Sequence, residues 1–415
     1  MKIKIVAWGG HGDLRPYVAL ALELHKAGHK VDLATLADEK EFVTSFGVNC
    51  IPMEWNSDDR VFLTYPPFNT IGLHSNQVRS LPDGLLSEVW RVCQNAEAII
   101  FNGPSYPCLY IAEKLGIPCF ASATQPHHQT RAFPHPFVTN GKPLGKVYNW
   151  LSYPFFDQLF WQSVCQPVNQ WRQETLNLRP LTFREGIVRR MQQQKIPFLY
   201  SYSPTFLPKP SDWNDDLIHV TGYWFLDTSE DWQPPTNLIN FLSTGTPPVY
   251  ISNIWHHEKL GKSLALEVAK LTGQRIIIQD LDDEEHDVKS TDDVFYIKGM
   301  IPHEWLFPKM AAVVHHGGCG TTMSCLRAGV PMIITPFRVT AEHYFWALQV
   351  SQSGLGISVF PQQEQLSPES LAAAIKTVTN DKNMRIKATE IGKRVQAENG
   401  VQRAVEAFHQ HLFAI

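Results

Sequence analysis

The chain of 415 residues has no CxxC pair, no GxxxxGK[ST] phosphate loop, no run of lysine and arginine, and no apolar run that approaches membrane-spanning length. Each absence removes a class of function. The seven cysteines, Cys50, Cys93, Cys108, Cys119, Cys165, Cys319 and Cys325, are odd in number and scattered, so they offer neither a zinc clamp nor a dithiol pair and read as small buried hydrophobes in a reducing compartment. A formal net charge of -4 gives no basic excess for a phosphate backbone, and nucleic acid is not an expected partner. The start, "MKIKIVAWGGHGD", reaches glycines and an aspartate too soon to hold the apolar core of a signal peptide, which points to the cytoplasm. Its loop "GGHGDLRP" lacks the spacing of GxGxxG, and "WHHEK" lacks that of HExxH, so no metal is assigned there.

What is present is a large apolar content, 44% hydrophobic against 18% charged, in a chain too long for one ordinary domain. "KIKIVA", "YVALALELHKAG" and "HKVDLAT" read as strand, helix and strand, with Gly28 closing the helix. "AIIFN" and "IPCFAS" continue the series. A second series starts near residue 248 with "PVYIS", "QRIIIQ", "VFYIK", "AAVVHH" and "VPMIITP". The pattern predicts α/β architecture, two doubly wound parallel-sheet domains in tandem. Proline, aspartate and tryptophan replace periodicity over residues 210 to 236, where the boundary is expected. The stretch from Phe133 to Trp171, with "YNWLSYPFFDQLFWQSVCQPVNQW", is dense in aromatics and reads equally as core packing or as the wall of an acceptor pocket.

The block "AAVVHHGGCGTTMSCLRAG" joins a strand to a helix through glycines, with Gly329 placed to cap the helix. Ligands of open parallel sheets bind beyond the carboxyl ends of strands, where glycines let backbone amides approach a phosphate at a helix N-terminus. A diphosphate suits this place. Gly318 and Gly320 open the approach, Thr321 and Thr322 add donors, and His316 donates to a phosphate oxygen. A glycine-rich turn with histidines satisfied inside the fold is the plainer alternative. The pair Asp280 and Asp282 imitates a metal-binding DxD, but it opens the acidic run "DLDDEEHD", which reads as a solvated loop.

Together these segments resemble the family 1 glycosyltransferases of GT-B fold, in particular the sterol 3-β-glucosyltransferases and the bacterial enzymes that glycosylate antibiotics. "GGHGDLRPYVALALELHKAGHKVDLAT", "VNQWRQETLNLRPL", "YSYSPTFLPKPSDW", "VTGYWF", "MIPHEWLFPKMAAVVHHGGCGTTMSCLRAGVPMIITPF", "EHYFWALQV" and "NGVQRAVEAFHQHL" carry the resemblance in the family's order along almost the whole chain. It implies two Rossmann-like domains facing a central cleft. Residues 1–215 would bind an apolar acceptor, residues 216–396 a nucleotide sugar, and residues 397–415 would form a helix crossing back to the first domain. The donor would be a co-substrate, UDP-glucose by default, with no cofactor or metal. The acceptor would be a sterol, lipid or polyketide hydroxyl, with peripheral membrane contact in reach.

The resemblance implies a role for each matched residue. Asp13 falls at the general-base position, with Gly12 beside it at the donor. His316, Gly318, Gly320 and Thr321 match the diphosphate binders, and Glu342 with His343 match the pair that grips the sugar hydroxyls. Asp13 also reads as an N-cap with Pro16 in the first turn, and Glu342 as a solvent-facing carboxylate at a helix start. The chain departs from its relatives in Ile254 and Trp255, where they carry a glycine and serine, in Gly10 and His11 of the first loop, in His343 where glutamine is usual, and in two extra residues of "FRVTAEH". An inverting glycosyltransferase is therefore expected first. A nucleotide-sugar binder of reduced activity comes second, and a nicotinamide dehydrogenase third.

Overall fold

The computed structural model describes residues 1–54, 84–138, 144–213, 216–228, 232–252, 258–280, 291–336, 341–360 and 366–412; Ile254, Trp255 and Asp282 lie outside them. The first sheet contains β1 (Lys2–Val6), β2 (Lys30–Leu36), β3 (Asn49–Met53), β4 (Ala98–Asn102), β5 (Cys119–Ala123), β6 (Phe198–Tyr200) and β7 (Ile218–Val220), in the order β3-β2-β1-β4-β5-β6-β7. The second contains β8 (Val249–Ile251), β9 (Ile276–Asp280), β10 (Val294–Lys298), β11 (Ala312–His315), β12 (Met332–Ile334) and β13 (Gly356–Ser358), in the order β10-β9-β8-β11-β12-β13. Every neighbouring pair is parallel. Strands β4, β5 and β11 are buried at every position, as central strands covered on both faces must be.

Four strands escape the sequence reading. Strand β3 carries Pro52, which has no N–H to donate, and the sheet places it at an edge where that loss is tolerated. Strands β6, β7 and β13 span 3 residues each, too short to show a period of two. Because β7 pairs with β6, the first sheet runs past residue 215 and takes in part of the expected boundary region.

Both sheets reverse their winding at one point, between β1 and β4 in the first and between β8 and β11 in the second. At such a point adjacent connections leave in opposite directions and open a crevice beyond the strand ends. The loop before Asp13 leaves β1, and the loop holding His316 leaves β11.

The last helix, Gly400–Leu412, packs against the first helix, His11–Lys26, and puts Ala404, Val405, Ala407 and Phe408 into the core around β1. Phe408 lies 4.7 Å from Phe120, ring to ring. The crossing needs two backbones in contact. A Cβ on Gly400 would stand 2.6 Å from the Gly222 carbonyl carbon and 2.6 Å from the Tyr223 oxygen. Around this point Glu398 accepts from Ser203 Oγ at 2.7 Å and from the Thr205 amide at 3.1 Å.

The aromatic stretch is one helix, Lys146–Glu174, and it serves both readings. Its inner face buries Tyr153, Phe156, Trp161, Val164, Val168 and Trp171. Its outer face exposes Val147, Leu151 and Phe155, spaced one turn apart. Phe155 and Phe156 therefore have opposite environments. The far end is anchored by fully buried Arg172, 3.1 Å from Glu113, which Arg190 also meets at 2.6 Å.

Gly400→Ala tests the crossing. Alanine has the better helix propensity by about 1 kcal/mol, but its methyl must displace backbone, and overpacking of this kind costs about 1–3 kcal/mol. Chemical denaturation should therefore show net destabilisation; a stabilised variant would mean that the glycine contact does not constrain the crossing.

Candidate active site

Asp13 is the third residue of its helix, not the N-cap. The cap is extended Gly10, and the Asp13 carboxylate reaches back to accept from the Gly10 amide at 3.0 Å. The helix starts three residues earlier than an Asp13 cap would require, so Pro16 lies inside it rather than in its first turn. Proline has no N–H, and the Gly12 carbonyl consequently lacks its usual donor four residues on. Gly9 must be glycine: at φ +152° its Cβ would stand 2.5 Å from the Asp13 carboxylate. Asp13 keeps solvent access, yet protein surrounds it closely enough that burial raises its pKa, the Gly10 amide opposing the shift.

Across the cleft, the helix Cys319–Ala328 takes Gly318 as its N-cap and ends on Gly329 at φ +66°. The amides of Gly320 and Thr321 lie in the first turn, where no intrahelical acceptor exists. A Cβ on Gly318 would meet His316 Nε2 at 2.7 Å, so the glycine makes room for the imidazole at the helix N-terminus. One on Gly320 would lie 3.0 Å from the Tyr223 hydroxyl and 3.7 Å from the Gly12 carbonyl oxygen. The first turns of two helices thus face each other, both with positive dipole ends toward the gap. Thr322 is not available as a donor there, because it is fully buried and its hydroxyl donates to the Gly318 carbonyl at 2.9 Å.

The helix Ala341–Ser353 supplies Glu342 and His343. Burial pushes Glu342 up to about 7; a hydrogen bond from Gln125 opposes this, the Asp13 charge adds to it, and Trp346 opposes it. The His343 ring lies 4.6 Å from that of His316, and burial with His316 beside it lowers its pKa to about 3, so it is neutral at physiological pH. Its buried Nδ1 has no partner among the described residues. The structure therefore gathers Asp13, Gly12, His316, Gly318, Gly320, Thr321, Glu342 and His343 around one cleft.

Four neighbours escaped the sequence reading. Buried His315 accepts from the Gly317 amide at Nδ1, 3.2 Å away, so its proton is on Nε2, which has no partner among the described residues. Gln125 and Thr124 follow β5, and the Thr124 carbonyl accepts from Cys319 Sγ at 3.3 Å. Tyr223, in the segment joining the sheets, points its hydroxyl at Gly320. The strand-end rule that located His316 would also have pointed to Gln125, since "IPCFAS" was legible as the strand before it.

Known proteins divide the chain in the same way. Residues 3–134 match the glycosyltransferase family 28 N-terminal domain, and residues 263–408 match the C-terminal domain of the erythromycin biosynthesis protein CIII-like family. A sterol 3-beta-glucosyltransferase of Aspergillus oryzae is 33% identical across 99% of this chain, and one of Pichia angusta 35% identical across 99%. The chain spans only 30% and 33% of those two relatives' lengths. Among solved structures, the glycotransferase of kitacinnamycin superposes with TM-score 0.69 at 17% identity over 99% of this chain and 98% of its own. The glycosyltransferase VinC in complex with dTDP gives 0.66 at 16% identity over 99% and 100%. Two facing parallel-sheet halves, a family match in each, and likeness along nearly all of this chain lead to one assignment: the chain has the GT-B fold.

Proposed function

We propose that this chain transfers a hexose from a nucleoside-diphosphate sugar, UDP-glucose by default, to a hydroxyl of an apolar acceptor, a sterol in the first instance, with inversion at the anomeric carbon. The observation that carries this reading is the placement of the Asp13 loop and the His316 loop face to face, each at the winding reversal of its own sheet. The likeness to sterol 3-beta-glucosyltransferases along 99% of this chain supports the sterol and the glucose.

In this scheme the diphosphate lies at the N-terminus of the helix Cys319–Ala328. The amides of Gly320 and Thr321 and the His316 imidazole meet the charge that develops as the anomeric carbon–oxygen bond breaks, in place of a metal ion. Gly12 contributes from the facing helix. Glu342 and His343 hold the sugar hydroxyls. Asp13 takes the proton of the acceptor hydroxyl as its oxygen attacks from the face opposite the departing diphosphate. Glu342, pushed up to about 7, is a mixture of acid and carboxylate near neutrality rather than a full carboxylate.

The acceptor enters from the first half, over the inner aromatics of the helix Lys146–Glu174. The exposed row Val147, Leu151 and Phe155, 74%, 57% and 55% exposed, suits peripheral contact with the bilayer that holds such an acceptor. Among the described residues no helix is long and apolar enough to cross a membrane. All seven cysteines are free, and Cys93 and Cys108 lie 3.8 Å apart unbonded, which supports a reducing, cytoplasmic setting. Equimolar release of UDP and glucosylated sterol distinguishes transfer from mere binding of the donor.

Asp13→Asn keeps an oxygen to accept from the Gly10 amide but cannot take the proton. Stability and UDP-glucose affinity should persist while kcat falls by about 10² to 10⁴; near-normal turnover, or a retained anomeric configuration, would sink the mechanism. His316→Ala should lose about 2–4 kcal/mol of transition-state stabilisation, read as kcat/KM with the fold intact by circular dichroism. Wild-type kinetics would remove His316 from the diphosphate.

Glu342 makes a pH prediction. Its folded value, about 7, exceeds its ordinary 4.5, so its stabilising contribution is complete below about 4.5 and is lost as pH rises through about 7. Glu342→Gln, which cannot ionise, should raise the melting temperature relative to wild type at pH 8 but not at pH 4.5. An equal change at both pH values would contradict the raised pKa.

A further inference from the structure

Asn149, Ser152 and Arg172 interrupt the otherwise apolar inner face of the helix Lys146–Glu174, and Asp157 adds a more accessible polar place. Asp157 falls one turn after Tyr153 and one turn before Trp161, both buried, so its carboxyl shares their face. Burial pushes its pKa up to about 8, yet the residue is only half-buried, so a bound molecule can reach its carboxyl. Its charge is felt by Tyr153 and Tyr200, which places it near the carboxyl ends of β5 and β6. Those two hydroxyls are already engaged. Tyr153 donates to the Phe133 carbonyl at 3.2 Å, and Tyr200 accepts from the amides of His127 and His128 at 2.8 and 3.0 Å. Asp157 has no hydrogen-bond or ion-pair partner among the described residues.

A second polar group in this region is also unsatisfied. The Tyr106 hydroxyl, on a side chain 4% exposed, has no hydrogen-bond partner among the described residues, and its ring lies 5.6 Å from Phe160, one turn beyond Asp157 on the helix. The remaining wall is aromatic: His135 stacks on Phe156 at 4.1 Å and lies 5.4 Å from His127. His127 is two residues after Gln125, the partner of Glu342, so this aromatic wall continues toward the cleft. Buried polar groups are normally paired, and the exceptions call for a reason. A ligand that brings its own oxygen is such a reason.

We propose that Asp157 binds the acceptor, receiving a second hydroxyl or carbonyl oxygen of an otherwise apolar molecule whose reacting hydroxyl lies at Asp13. This rests on the reading of the first half as the acceptor side. A neutral carboxyl both donates and accepts, and so matches a neutral oxygen; an ammonium would demand the ionised form that this environment opposes. The preferred acceptor is then an oxygenated sterol-like alcohol rather than one with a single hydroxyl.

The test compares cholesterol, which has one hydroxyl, with ring-hydroxylated and side-chain-hydroxylated cholesterols, using wild type, Asp157→Leu and Asp157→Asn. Wild type should show a KM about tenfold or more lower for at least one hydroxylated sterol, as one hydrogen bond in a closed site allows. Asp157→Leu should erase that preference with kcat on cholesterol and UDP-glucose affinity unchanged, and Asp157→Asn should keep most of it. Equal KM values for all sterols in wild type, or a preference that survives Asp157→Leu, would overturn the proposal while leaving sterol transfer standing. If Asp157→Leu does not fold, the wild-type preference and its retention in Asp157→Asn decide. Absence of transfer to every sterol by a wild type that still binds UDP-glucose would remove the acceptor reading and this inference together.

Discussion

The contact of Gly222 with Gly400 is the constraint on which the cleft depends. Two parallel-sheet units joined by one linker would be free to hinge, because interfaces within a chain are small and polar by default. Here the chain passes between the units twice, once outward at Gly222 and once back at Gly400, and the two strands of backbone touch at that crossing. The returning helix is anchored in the core around β1 by Phe408 and its neighbours. Arg15 adds a tie, reaching from the first helix to the Leu226 carbonyl at 3.0 Å and to Glu304, which Thr228 also meets. The crevices at the two winding reversals thereby face one another.

Where they meet, charge is managed by geometry more than by cations. Two helix N-termini supply unpaired amides and positive dipole ends, and the nearby histidines His315 and His343 are held neutral by burial. Burial raises the pKa of both carboxyls that enter this setting: the Gly10 amide opposes the shift at Asp13, and at Glu342, pushed up to about 7, the hydrogen bond from Gln125 opposes it while the Asp13 charge adds to it.

The acceptor half follows from one long helix. Its inner side chains form the wall of the first unit and its outer side chains form an apolar row, so packing and presentation are divided by helical period rather than by sequence segment. The buried Arg172 and Glu113 pair holds the far end of this helix against the sheet. Although burial alone would raise the Glu113 carboxyl, its hydrogen bond to Arg172 and the charges of Arg172 and Arg190 keep it below its ordinary value.

The two series of strands, the glycine-bearing strand end at His316 and the Gly329 cap were legible by themselves, because they rest on local periodicity and on backbone conformations that few residues adopt. Strands β3, β6, β7 and β13 were not, since neighbours rather than sequence stabilise them. Asp13 shows the limit most clearly. Sequence placed an aspartate at the start of a helix, but whether it capped that helix depended on where the backbone first turned, three residues earlier. The roles of Phe155 and Phe156 likewise could not be separated until the helix was set against the sheet. Gln125 at Glu342, Tyr223 at Gly320 and Asp157 within its aromatic wall belong to tertiary structure alone: each joins residues far apart in the chain, and no local pattern records a contact made across a cleft.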